Sequence, residues 1–366
     1  MLMIDPHVHL RDWSQSAKET LVHGMSVGVQ AGIGTFFDMP NTDPPLTDMK
    51  TVERRLADGR AAARIVAESS GVEPAYHVYG GLTADPKQVR DMASIVRNLF
   101  PATVGLKMFA GHSTGNMGLV TEEAQRQVYR TLAESGYRGV LAVHCEKESL
   151  LKTDVWSVAE PVSHSVARPP YAEIESVRDQ LRFATEEGFA GTLHICHIST
   201  GGALDLVSKA RTDGGPFRVT CGATAHHALL STTAYAVSGN LVKMNPPLRE
   251  EEDRFRIFSA LLDGTVDWVE SDHAPHTIAD KQRGASGIPG FGGTLRLIAA
   301  LRKAGCSDGR LFDLFGRNVA RTFGLPWEGK LSFAGLAQTG SSRRRVDDAY
   351  PWNPFLAFDA RMVSKQ

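Results

Sequence analysis

An eight-stranded β/α barrel is the fold this sequence predicts, and three observations predict it. Short apolar runs alternate with longer amphipathic stretches from the first residues to about Gly324. Most of the short runs are continuously apolar, as parallel strands covered on both faces require, rather than alternating. Eight such β/α pairs can be counted, and polar side chains collect at the C-terminal ends of the runs, where barrels build their sites. A doubly wound open sheet is the alternative that a strand count leaves open.

In chain order the strand candidates are 2–8, 33–39, 75–79, 104–109, 140–144, 192–198, 217–221 and 266–271. Helix-like stretches fall between them at 49–67, 86–99, 122–134, 172–186 and 202–210. Two segments break the pattern. Residues 111–118 (GHSTGNMG) follow the fourth strand, and 277–293 follow the eighth; both are rich in Gly or Pro and suit loops on the C-terminal face. The chain past Gly324 reads as irregular, with 341–345 (SSRRR) as a solvated linker. The expected division is a barrel over 1–325 and a tail over 326–366 that packs on it or forms a remnant of a small β domain.

Composition narrows the function. The 366 residues are 42% hydrophobic and 22% charged, the mixture of a globular protein with a large core. Forty basic residues against 41 acidic ones leave a net charge of -1, which offers neither nucleic acid nor an anionic membrane an electrostatic partner. Cys145, Cys196, Cys221 and Cys306 form no C-x-x-C pair and read as reduced, mostly buried thiols. No apolar run approaches the ~20 residues of a membrane span. The opening Met-Leu-Met-Ile-Asp leads straight into a histidine pair rather than a signal peptide. The expected location is the cytoplasm.

The chemistry lies in the strand ends. His7, His9 and Arg11 alternate in DPHVHLR, so they share one face of the first strand, and two imidazoles so placed can hold one divalent metal. Lys107 lies inside an apolar strand, GLKMF. Such a lysine is commonly ion-paired or snorkelling. Burial of a lysine also favours its neutral amine, which can take up carbon dioxide as a carbamate, a two-oxygen anion able to bridge two cations. His144, His197 and Asp272 end the fifth, sixth and eighth strands, with His273 and His276 just beyond. Each alone has a bland reading as a satisfied core residue. Together they form a donor set of nitrogens and oxygens that suits zinc or another borderline divalent ion.

Seven motifs then carry a resemblance: DPHVHLRD, DMPNT at 38–42, GLKMF, VHCE at 143–146, CHIST at 196–200, KMNPPLR at 243–249 and SDHAPH at 271–276. The chain resembles the amidohydrolase superfamily and, within it, the dihydroorotase family, over about residues 4–325. The resemblance implies a metal-dependent hydrolase barrel with two zinc ions. His7 and His9 would bind one, His144 and His197 the other, and an N6-carboxylated Lys107 would bridge them. Asp272 would be both ligand and general acid/base, with a metal-bridging hydroxide as nucleophile. Arg11, Asn41 and His276 would hold a substrate carboxylate, Asn245 and the backbone near Gly290 the ring, and Thr114 a loop that closes over it.

The implied reaction is the reversible cyclisation of N-carbamoyl-L-aspartate to (S)-dihydroorotate, a step of pyrimidine synthesis. Hydantoinases and allantoinases are the neighbouring alternative; they lack the arginine because their substrates lack that carboxylate. A non-catalytic scaffold is the alternative from another class. Expected partners are the small-molecule substrate, further copies of the chain, and an aspartate transcarbamoylase. Relatives that carry a β-sandwich begin about 50 residues earlier, so that appendage is expected to be reduced or absent here. His226 and His227 read as structural or as support to the ligands.

Overall fold

The computed structural model describes residues 2–113, 116–327, 333 and 340–363. The first strand, β1 (Met3–Val8), is buried at every position, as a strand covered on both faces must be. It pairs in parallel with β2 (Ile33–Asp38), and the parallel ladder continues through β3 (Ala75–Gly81), β4 (Thr103–Ala110), β5 (Val140–Cys145), β6 (Thr192–Ile195), β7 (Arg218–Ala223) and β8 (Trp268–Val269). A parallel bridge from Val8 to His273, with the His9 amide donating to the His273 carbonyl at 2.8 Å, brings the last strand back to the first. The result is a nearly closed barrel of eight parallel strands, in chain order. The eighth strand is shorter than expected. From Glu270 onward the side chains turn to site contacts and regular pairing ends.

Outer helices follow the strands: α1 (Leu21–Gln30), α2 (Met49–Ser70), α3 (Pro86–Leu99), α4 (Glu122–Glu134), α5 (Pro170–Glu186), α6 (Gly201–Asp213), α7 (Glu251–Asp263) and α8 (Phe291–Lys303). Their starts are encoded locally. Asp48 and Thr51 form a capping box for α2, Asp85 caps α3 ahead of Pro86, and Thr121 caps α4. One apolar layer lies between strands and helices. A second fills the barrel interior, where Phe323 packs edge-on against Phe37 at 5.0 Å and against Tyr79 at 6.2 Å. That plug leaves the polar strand ends as the open face of the barrel.

A buried ion pair supports this face from below. Asp38 at the end of β2 accepts from Arg55 Nη2 at 2.6 Å, from Tyr76 at 2.6 Å, and from the amide of Leu10 at 3.0 Å. It thus fixes the backbone between His9 and Arg11. Arg55 and Asp38 are both fully buried. Arg55→Met should therefore strand a carboxylate and lower unfolding free energy by about 3–5 kcal/mol, to be read from urea denaturation.

One stretch of the tail differs from expectation. Residues 341–345 belong to a helix, α9 (Gly340–Asp348), rather than to a linker, although Arg343, Arg344 and Arg345 are exposed. The reason is tertiary: Val346 is buried, α9 packs against α1 and α8, and Arg296 of α8 pairs with Asp347 at 2.8 Å and Asp359 at 2.6 Å. Asp359 lies on a last helix, α10 (Leu356–Val363). All four cysteines are free, and Cys145, Cys196 and Cys221 are buried. Among the described residues no helix is long and apolar enough to cross a membrane.

Candidate active site

The strand ends carry the strained backbone of the molecule. Among the described residues, five non-glycines have positive φ: Arg11 (39°), Asp12 (71°), Trp13 (52°), His197 (33°) and Asp272 (46°). Side chains with a Cβ pay for that region. Strain of this kind persists where surrounding structure holds a functional geometry. Here it aims His197, Asp272 and the turn carrying Arg11 at one place.

His7 Nε2 lies 3.4 Å and His9 Nε2 3.1 Å from Asp272 Oδ1. His144 Nδ1 faces His197 Nε2 at 3.2 Å. The rings of His7 and His197 are 5.1 Å apart, so the two groups adjoin. A tetrahedral shell with metal–nitrogen bonds of ~2.0–2.1 Å places neighbouring donor atoms about 3.3–3.4 Å apart. The observed separations match, and the donors suit a divalent cation. Lys107 lies beneath them on β4, fully buried, with Nζ 3.1 Å from Cys196 Sγ. Among the described residues it forms no ion pair with a carboxylate.

The outer contacts assign the free nitrogens. His9 Nδ1 is 2.7 Å from Asn41 Oδ1, which leaves Nε2 for a ligand. His144 Nε2 is 3.0 Å from Glu146, itself held by Arg168, which leaves Nδ1. Burial pushes the His9 imidazole down to about 4 and lowers those of His144 and His197. Burial opposes ionisation of Asp272, but the hydrogen bond from His9 and the fields of His7 and His9 outweigh it and lower its pKa. Neutral imidazoles beside an ionised carboxylate are what cation binding needs. His7 goes the other way. Burial and the field of Lys107 work against its proton, yet Cys196 and Glu270 outweigh them and raise it to about 9.

These groups share a pocket lined by His7, His9, Arg11, Asn41, His144, His197, Asn245 and Asp272. His276 stands behind Arg11, with Nε2 3.2 Å from Arg11 Nη2 and 2.9 Å from the Ser286 carbonyl. Gly290 does not line the pocket; its amide donates to His273 Nδ1 at 3.1 Å. Thr114 lies outside the described residues, while Ser113 of the same loop lines the pocket. His227 spans Thr224 and the Pro246 carbonyl, and both ring nitrogens of His226 are buried with no hydrogen-bond partner among the described residues.

Sequence reasoning missed several lining residues, Phe109, Ala274, Ser286 and Gly287. It also missed Glu270, which accepts from His194 Nε2 at 3.1 Å and from the His197 amide, and lies 3.5 Å from His7 Nδ1. Donor atoms of His7, Cys196 and Glu270 lie within 4.8 Å of one another. The signal for Glu146 was present, two residues past His144 on the same strand face; nothing local pointed to Glu270.

No family model matches the chain. Comparison with individual proteins is more informative. The chain is 34% identical over 337 residues to a dihydroorotase from Halobacterium salinarum, covering 90% of this chain and 73% of that one. It is 32% identical over 375 residues to a dihydroorotase from Methanothermobacter thermautotrophicus, covering 97% and 79%. Among solved structures, an L-hydantoinase (dihydropyrimidinase) from Arthrobacter aurescens superposes with a TM-score of 0.77 at 22% identity, covering 93% of this chain and 74% of that one. A dihydroorotase from Campylobacter jejuni superposes at 0.67 with 17% identity, covering 90% and 85%. The structural likenesses establish the barrel, and the sequence identities establish more: this chain belongs to the dihydroorotase family of cyclic-amide hydrolases.

Proposed function

We propose that this enzyme is a two-zinc dihydroorotase that interconverts N-carbamoyl-L-aspartate and (S)-dihydroorotate. The observation that carries the reading is the pairing of two histidine clusters at ligand spacing with Arg11 in the same pocket. His7, His9 and Asp272 would hold one zinc and His144 and His197 the other, with carboxylated Lys107 between them. Zinc bound there supplies a nucleophile from water at neutral pH and a Lewis acid for the ring carbonyl.

The chain's own residues do the rest. Arg11 and Asn41 bind the substrate carboxylate, Arg11 through the planar fork that suits a carboxylate. His276 backs Arg11. Asn245 faces the ring, fixed by His164 Nε2 at 3.0 Å and Ser286 Oγ at 3.1 Å. In the hydrolytic direction Asp272 takes the nucleophile's proton on a carboxylate oxygen and passes it to the leaving ring nitrogen. Ring closure runs the same path backwards. Loss of a proton from the Lys107 ammonium, attack of the amine on the carbon of carbon dioxide and loss of a second proton from the nitrogen would give the carbamate; this would account for a buried lysine that has no carboxylate partner among the described residues.

The test is elemental analysis of the purified chain alongside dihydroorotate turnover followed by ultraviolet absorbance. About two zincs per chain with turnover are expected. Chelation should abolish activity, and zinc with bicarbonate should restore it. No metal uptake and no turnover would overturn this reading in favour of a non-catalytic scaffold. Turnover of a neutral hydantoin but not of dihydroorotate would move the substrate assignment to the hydantoinases.

A further inference from the structure

The pocket wall that faces the ring in the reading above is built from two segments distant in sequence. One carries Asn245, the other Ser286 and Gly287. No regular strand pairing holds them together. A few direct hydrogen bonds and one buried side chain that reaches both segments do. Lys281 Nζ, fully buried, donates to the carbonyls of Lys243, Ala285 and Gly287, each at 2.8 Å. Those three acceptors use all three N–H groups of an ammonium. Burial first, and then the field of Lys243, lower the Lys281 pKa well below the ordinary lysine value. The three carbonyls are satisfied together only by the charged form, so the geometry holds its proton. Trp352, from the C-terminal segment, covers the ammonium with its ring centroid 5.3 Å away and is itself buried.

We propose that Lys281 is a positioning residue for substrate, whose ammonium ties Lys243 to Ala285 and Gly287 and so sets the wall formed by Asn245, Ser286 and Gly287. The inference rests on the reading that this wall faces the substrate ring. Contacts continue from the staple to the pocket. The Gly287 amide donates to the Lys243 carbonyl at 2.9 Å, and Lys243 Nζ to Ser286 Oγ at 2.7 Å. Ser286 in turn reaches Asn245 Oδ1 at 3.1 Å, and its carbonyl lies 2.9 Å from His276, the residue behind Arg11. The Gly287 backbone has no room to drift. Its φ is 134°, and a Cβ there would meet the Ala274 carbonyl at 2.5 Å.

Lys281 neither lines the pocket nor touches a proposed metal ligand. Its loss should therefore act on substrate binding while leaving the metals in place. Removing it takes the ammonium from the Ala285 and Gly287 carbonyls and leaves the Lys243 carbonyl with the Gly287 amide alone, which loosens the seam between the two segments.

The experiment uses the full-length, zinc-loaded chain, wild type against Lys281→Met. KM for dihydroorotate should rise roughly 10–100-fold, with kcat within about threefold of wild type. Zinc content should be unchanged. Hydrogen exchange should quicken at the Gly287 amide and across 243–248 and 285–290, but not across 3–9 or 140–145. An unchanged KM in the zinc-loaded variant would overturn the proposal. So would a loss of zinc in parallel with KM, which marks a general structural role. Trp352→Leu, which keeps the ammonium but uncovers it, guards against misfolding of the first variant; it should raise KM severalfold without loss of zinc, and no change would count against the proposal. If the wild type itself does not turn over dihydroorotate, the substrate reading fails separately. Exchange at Gly287 in Lys281→Met then decides the staple alone: quickened exchange upholds it and unchanged exchange overturns it.

Discussion

Lys107→Ala is expected to abolish turnover, by about a thousandfold or more, and to reduce bound zinc below two per chain. The expectation follows from where the side chain lies. Lys107 occupies β4 in a fully buried strand position, beneath the two histidine groups. An ammonium there would repel two divalent cations, whereas a carbamate would supply a ligand to each. Alanine would take away that ligand and leave a cavity. Part of the activity should return when a short carboxylate such as acetate is added at high concentration, because it offers two oxygens that can enter that space. Elemental analysis and ultraviolet-followed turnover, with and without acetate and bicarbonate, check this. Full zinc occupancy and undiminished turnover in Lys107→Ala would remove the bridging role.

The second large effect concerns Arg11. Arg11→Ala should raise KM for dihydroorotate about 100-fold or more, since a hydrogen bond to a charged group contributes about 1.5–3 kcal/mol and the planar fork of arginine can offer two. Hydrolysis of a neutral hydantoin, where the enzyme catalyses it at all, should change little. The guanidinium is buried, with Nε given to the Pro275 carbonyl at 3.2 Å and Nη2 against His276. Burial lowers its pKa, but Glu19, Asp272, Asp38 and Asp280 work in the opposite direction. Steady-state kinetics on both substrates decide the matter. Equal losses on the two would mean that Arg11 holds the loop rather than the carboxylate.

Much of this protein was legible in its order of residues. The strand and helix candidates lie close to the observed elements because their signals are local: apolar runs, periodicity, Asp and Thr at helix starts. The histidines and Asp272 could be singled out because a polar group at the end of an apolar strand stands against its surroundings. The C-terminal segment was read less well. Its helix α9 has an arginine-rich, solvated surface, and it is held to the barrel by packing against α1 and α8, by buried Val346 and by the Arg296–Asp347 pair.

The sequence by itself determined the family, the barrel and the kinds of donor available at the strand ends, because short-range patterning specifies which face each residue takes. Only the tertiary structure decided which of those ends meet. Glu270 comes to His7 from the far end of the chain, Cys196 to Lys107, and Lys281 to carbonyls on two loops. Periodicity fixes a side chain's face of its strand, but its neighbours across the barrel depend on register, closure and loop path. Those are properties of the packed whole.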